Sequence, residues 1–319
     1  MISMMRSRVI PVLLLLLALP SLAQRQPIEL QLKLTAPFRF VAYGDTRFTD
    51  PKNAGASNAA VRKALVQAIA DAHPAFVSIG GDLTFRGDDP NDWKTWNTET
   101  AIWAQRNIPV YPALGNHDLR GDEKRALANY FEHFPELQEN RYYSLRVANS
   151  LMIVLDSSLD ETLGSQGEWL QHKLDTLPDG IDFVFLVLHH PPYTSSSDGV
   201  LGGGHAARRP EHLLANMLEE RQRRTHARFV VFAGHVHNYE RQEHNGVTYF
   251  VTGGGGAHPY FVKRSSGDLF QGSSDVNYHY LLVEVDHGEA TVTMNRIELN
   301  NGKATWAQPD HVKIMASSR

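Results

Sequence analysis

The sequence predicts an α/β fold, with a mainly parallel sheet covered by helices and a second sheet packed on the first. Three observations predict it. Short apolar runs recur, each ending in Gly or Pro plus polar residues. Helical patterns lie between several of these runs. The last third changes to strands joined by tight turns.

The apolar runs come first. Phe38 to Tyr43 leads into Gly44-Asp45, and Ala75 to Ile79 into Gly80-Gly81-Asp82. Ile108 to Leu114 leads into Gly115-Asn116-His117-Asp118. Phe183 to Leu188 leads into His189-His190-Pro191-Pro192, and Arg228 to Ala233 into Gly234-His235-Val236-His237. Several runs are β-rich and apolar throughout, as strands buried on both faces are. In parallel sheets, ligands gather outside the carboxyl ends of the strands, where all five polar clusters fall.

The helices follow. Ser57 suits the cap of a helix with Val61, Ala64, Leu65, Ala68 and Ile69 on one face, ending near His73-Pro74. Asp92 to Arg106, Asp122 to Phe134, Ser165 to Leu177 and Glu211 to Arg223 carry similar patterns. Trp93, Trp96 and Trp103 follow helical spacing, which reads as core packing. Strand alternating with helix implies the parallel sheet. Thr248 to Thr252, Tyr280 to Val285 and Ala290 to Ile297 then read as an antiparallel meander, with Asp286-His287-Gly288-Glu289 as a turn.

Composition bounds the function. Lys and Arg total 31 against 35 Asp and Glu, a net charge of −4. Arg6 and Arg8, the apolar run from Val9 to Ala18 and Ser21-Leu22-Ala23 read as a signal peptide over residues 1–23, cut after Ala23. The implied location is periplasmic or secreted. Losing the two arginines makes the mature chain, residues 24–319 as one catalytic domain, more negative still. That argues against nucleic acid and against anionic membranes as partners. Cysteine is absent, so disulfides and zinc–thiolate sites are excluded. Any metal must sit on His, Asp, Glu or Asn, which suit Zn, Mn and Fe.

The residues at the strand ends are a metal-binding repertoire: Asp45, Asp82, Asn116, His117, His189, His235 and His237. In an extended backbone, His235 and His237 face one way and Val236 turns inward. A carboxylate shared between two cations makes a two-metal site, which polarises a phosphoryl oxygen and lowers the pKa of water. His117 is placed to protonate a leaving group. Arg47, two residues from Asp45, has the fork geometry for a phosphate. Arg86, His190 and His205 are further substrate-contact candidates. His190 is expected to point away from its neighbour His189.

The ordered set Gly44-Asp45, Gly81-Asp82, Gly115-Asn116-His117-Asp118, His189-x-Pro191-x-Tyr193 and Gly234-His235-x-His237 resembles the calcineurin-like metallophosphoesterases. Asn238-Tyr239-Glu240-Arg241 and Val251-Thr252-Gly253-Gly254-Gly255-Gly256 resemble their purple acid phosphatase branch. The resemblance covers about residues 38 to 262. It implies two packed mixed β-sheets flanked by helices, a four-layer α/β/β/α sandwich. It implies hydrolysis of a small phosphomonoester with two metal ions (Fe, Zn or Mn). The alternatives are a phosphodiesterase with the same site, or a secreted metal-binding protein with little turnover. By resemblance, site one is Asp45, Asp82 and His237, and site two is Asp82, Asn116, His189 and His235. His117 is the acid, and Arg86 matches a phosphate-contacting arginine of some branches. The chain departs twice from the pattern. Arg47 stands where many members carry a ligating His, and Phe85 where purple acid phosphatases carry a ligating Tyr. Phe offers no donor atom and Arg stays protonated, so site one lacks a fourth protein ligand.

Overall fold

The computed structural model describes residues 27–197 and 205–317, so the expected signal peptide lies outside the described residues. The strands are β1 (Glu29–Leu32), β2 (Phe38–Tyr43), β3 (Val77–Ile79), β4 (Val110–Pro112), β5 (Tyr143–Val147), β6 (Ser150–Val154), β7 (Phe183–Leu188), β8 (Arg228–Ala233), β9 (Tyr239–His244), β10 (Val247–Thr252), β11 (Tyr278–Asp286), β12 (Glu289–Asn300), β13 (Lys303–Ala307) and β14 (His311–Met315). The helices are α1 (Ala59–Asp71), α2 (Pro90–Glu99), α3 (Ala101–Gln105), α4 (Glu123–His133), α5 (Gly164–Asp175) and α6 (Arg209–Gln222).

Two mixed sheets result. One runs β1-β5-β6-β7-β8-β10-β9; the other runs β13-β12-β11-β2-β3-β4, with β14 beside β12. The division is not parallel half against antiparallel half. β10, expected in the meander, lies parallel to β8 in the first sheet. The C-terminal strands instead extend the second sheet by pairing β11 antiparallel to β2. The reason is burial: β2 and β11 are both mostly buried, and pairing covers an edge that would otherwise leave backbone groups unbonded.

The strands alternate as their periodicity requires. Phe183, Phe185 and Val187 face the other sheet, where Phe40 meets Phe185 edge-on at 5.1 Å. Val184, Leu186 and Leu188 face outward against Leu170 of α5 and Leu214 and Leu218 of α6. On the opposite side, α1 seats Val61, Leu65 and Ile69 against the second sheet. The result is the four-layer sandwich. Trp93, Trp96 and Trp103 are buried in its aromatic core, and Trp93 also stacks on His133 of α4 at 4.3 Å.

Two local expectations change. Asn58, not Ser57, caps α1, its Oδ1 accepting from Ala60 and Val61 N–H. The Ser57 hydroxyl instead donates to the Arg47 carbonyl, tying the loop after β2. The predicted helix from Asp92 to Arg106 breaks into α2 and α3 at Thr100, whose hydroxyl bonds back to the Trp96 carbonyl. No helix among the described residues is long and apolar enough to cross a membrane.

Candidate metal centre

The loops after β2, β3, β4, β7 and β8 converge at one end of the sandwich, on the seam between the sheets. The backbone there is unusual. Asp45, Arg47, Asp82 and His235 all adopt positive φ, at 58°, 44°, 53° and 70°, a region non-glycine residues rarely enter. Two glycines permit the approach. A Cβ on Gly115 would lie 2.4 Å from Asp82 Oδ1, and one on Gly234 would lie 2.5 Å from Asp45 Oδ2.

The β8 strand ends at Ala233, so His235 and His237 do not sit on an extended backbone. A sharp bend replaces it, with Val236 N–H donating to the Gly234 carbonyl and Asn238 N–H to the Val236 carbonyl. Val236 is fully buried, as expected. Both imidazoles still face the centre, from different sides.

Around Asp82, Asn116 Oδ1 lies 3.0 Å from His189 Nε2, and His235 Nδ1 lies 3.2 Å from the same nitrogen. Asp82 Oδ1 is 3.4 Å from it. His189 donates Nδ1–H to the Gly80 carbonyl at 2.9 Å, which leaves Nε2 as a bare donor atom. On the other side, His237 donates Nδ1–H to the His258 carbonyl at 2.5 Å. Its Nε2 and Asp45 Oδ1 are buried without hydrogen-bond partners, 3.4 Å apart. Buried polar atoms left unbonded are costly, and a cation between these two would satisfy both. The residues therefore fit metal ions, and Asp45, Asp82 and His189 already bring donor atoms within 4.8 Å of one another.

Electrostatics agree with the geometry. Burial pushes Asp45 up to about 7, against the pull of His189. Burial acts on Asp82 too, but His189, Arg47 and His117 hold it below the usual carboxylate range. Burial lowers His237 and His235, followed in His237 by Arg47 and in His235 by His189, so both stay neutral and able to ligate.

His117 donates its backbone N–H to Asp82 Oδ1 at 2.8 Å and its Nδ1–H to the Phe85 carbonyl at 2.7 Å. Burial lowers its pKa to about 4. Asp118 braces this loop by accepting from Gly115 and Thr84 N–H. Phe85 packs on the His117 ring at 5.3 Å and beneath Arg120 at 4.9 Å.

The substrate-contact candidates divide. Arg47 grips Asp82 Oδ2 through Nε and Nη2 at 3.3 and 3.1 Å. Arg86 pairs with Asp88, a residue shared with Arg125, rather than with the centre. His190 does not point away: its ring lies 4.4 Å from that of His235. The strand has ended at Leu188, so the two-residue alternation no longer applies there. Ser157 Oγ accepts the His190 backbone N–H at 3.0 Å and lies 2.8 Å from Nδ1. With the serine proton directed to Nδ1, the imidazole proton is on Nε2. In that tautomer His190 is a hydrogen-bond donor toward the centre rather than a ligand, although His189, His190 and His235 cluster closely. His205 Nδ1 lies 3.2 Å from His235 Nε2.

Tyr260 was missed in the sequence. Its ring stacks on His237 at 4.1 Å and on His205 at 4.6 Å. The only signal for it was its place just after the Gly253 to Gly256 run.

A family profile described as calcineurin-like phosphoesterase matches residues 38–239. The chain belongs to the calcineurin-like phosphoesterase family. Among curated proteins it is similar to Purple acid phosphatase 22 of Arabidopsis thaliana, 30% identical over 136 residues, which span 42% of this chain and 29% of that one. The chain thus spans under a third of the length of that relative. Its fold resembles the purple acid phosphatase PPD1 of yellow lupin (Lupinus luteus), with a TM-score of 0.69 at 16% identity over 89% of this chain and 55% of that one. It also resembles GAP50, described as the anchor in the inner membrane complex of Plasmodium, with a TM-score of 0.61 at 17% identity over 88% and 90%. Calcineurin-like phosphoesterases without sequence closeness share this scaffold, so the chemistry must be argued from the centre itself.

Proposed function

We propose that this calcineurin-like phosphoesterase is an exported phosphatase that hydrolyses small phosphomonoesters with two metal ions. The observation that carries the reading is the donor set flanking Asp82. Asn116, His189 and His235 converge on one side, while Asp45 and His237 present unbonded buried atoms on the other. Asp82, Asn116, His189 and His235 would hold one ion, and Asp45, Asp82 and His237 the other; Fe, Zn and Mn suit these ligands. Bound there, the ions supply positive charge for the phosphoryl oxygens and lower the pKa of water.

The chain's own groups do the rest. His190 donates Nε2–H to the phosphoryl group, and His205 lines the same wall. His117 acts from its imidazolium form, which its lowered pKa of about 4 confines to acidic pH. The Phe85 carbonyl keeps the Nδ1 proton, so the proton on Nε2 passes to the leaving oxygen and returns the ring to the neutral tautomer. Arg47 orients Asp82 and limits its negative charge. Arg86, held by Asp88, has no part in this scheme.

Export with cleavage after Ala23 belongs to the same reading, and an intact mass beginning at Gln24 in protein from the native host tests it. The incomplete second donor set favours one rival, a metal-binding protein with little turnover. Metal stoichiometry on protein purified without added metal, together with hydrolysis of an aryl phosphate, separates the two. Bound metal without turnover would establish the rival.

A further inference from the structure

Tyr260 sits at the mouth of the centre on a segment stitched to the bend that carries His237. Its backbone N–H donates to the His237 carbonyl at 3.0 Å, and its carbonyl accepts from Asn238 Nδ2 at 2.7 Å. The ring therefore cannot shift independently of His237. It lies nearly parallel to that imidazole, at 14° and 4.1 Å, with His205 stacked on it as well. It is only partly buried.

This stacking decides what the hydroxyl can do. The Nε2 lone pair of His237 lies in the imidazole plane. A parallel ring 4.1 Å away carries its oxygen out of that plane. Tyr260 therefore does not replace the donor that Phe85 lacks. Arg47, whose Nε and Nη2 hold Asp82 Oδ2, lies near the hydroxyl instead. A neutral phenol keeps a proton to donate. On a ring held by two stacks and a backbone hydrogen bond, that O–H is a donor at the partly open side of a cluster of metal-binding side chains. The chemistry it suits is an oxygen-rich anion.

We propose that Tyr260 is a phosphate-binding residue whose hydroxyl donates to a non-bridging oxygen of the phosphoryl group, with the His237 and His205 stacks fixing its ring. The proposal rests on the phosphatase reading for its substrate class, but its test needs no turnover.

The test is calorimetric titration of inorganic phosphate into the metal-loaded full chain, wild type and Tyr260→Phe, with metal content measured on both. Phe keeps both ring stacks and removes only the hydroxyl. Loss of a hydrogen bond to a charged group weakens phosphate binding by ~10-fold or more, with metal content unchanged. In an Arg47→Gln background, Tyr260→Phe still weakens binding. Unchanged phosphate affinity overturns the proposal, as does metal loss in Tyr260→Phe or a wild type that binds no phosphate. An effect that vanishes in the Arg47→Gln background also overturns it, because Tyr260 would then act only through Arg47. Intact, Tyr260-dependent phosphate binding without hydrolysis of any phosphate ester sinks the phosphatase reading and leaves this one standing.

Discussion

The two sides of Asp82 are built from the same kinds of residue and are not equivalent. On one side, Asn116, His189 and His235 already touch, with contacts of 3.0 and 3.2 Å. On the other, Asp45 and His237 face each other across 3.4 Å with their donor atoms unbonded. Arg47 and Tyr260 fill the space nearby, one through Asp82 and the other through the His237 ring. The comparison teaches that one scaffold presents a closed donor set and an open one around a shared carboxylate. The closed set should hold its ion more tightly.

Substituting a histidine on each side gives the largest expected effect and the most direct challenge. His189→Ala should remove the tighter ion and lower turnover of an aryl phosphate by at least ~10²-fold, more than the effect typical of outer-shell changes. His237→Ala should remove the weaker ion and leave the tighter one. Metal analysis after dialysis reads both, and the reverse order of loss would break the comparison.

His117→Asn should lower kcat by ~10²–10⁴-fold while both ions stay, because its nitrogens are not among the converging donors. Asn116→Ala should instead lower metal content. If the two variants exchange phenotypes, the roles assigned to these neighbours are wrong.

The open side depends on a buried brace. Arg62 and Glu99 pair at 2.9 Å with almost no exposure, and Arg62 also donates to the Arg47 and Thr49 carbonyls. Breaking a buried pair by removing one partner's charge costs ~3–5 kcal/mol. Glu99→Gln keeps the shape and should destabilise by part of that in urea unfolding. A neutral effect would show that the loop bearing Arg47 stands without the brace.

Arg47→His should raise metal affinity on the open side by restoring a ligand, while leaving the closed side unchanged, as titration with zinc would show. No change on the open side would mean that Arg47 does not occupy the place of a ligand.

The smallest effect lies away from the centre. Burial, reinforced by Glu211, pushes Glu161 up to about 8 from 4.5. The folded state then holds a proton that the unfolded state releases between those values. This group's contribution is complete below about pH 4 and is lost as pH rises toward 8. Glu161→Gln should flatten the decline in stability over that window, and thermal melts at pH 5 and pH 8 would show it. An undiminished decline would assign the pH dependence to other groups.

The convergence of the polar clusters was legible because each motif follows an apolar run. Phe38–Tyr43, Phe183–Leu188 and Arg228–Ala233 form strands at the predicted bounds, and their polar ends converge because parallel strands align those ends. The direction of each side chain was not legible. His190, His235 and Arg47 lie just past a strand end, where alternation no longer holds and bends or positive φ set the orientation. Tyr260 offered even less signal, because it reaches the centre through hydrogen bonds to residues over twenty positions away.

The sequence by itself determined which residue types can bind metal and the α/β alternation. Each of these is a property of residue type and local period. The tertiary structure decided that β10 joins the first sheet while β11 extends the second. It turned Arg47 onto Asp82 and set Tyr260 over His237. Those outcomes depend on which distant backbones pack together, because a side chain's partners are fixed by burial and hydrogen bonding across the seam between the sheets, not by its neighbours in the chain.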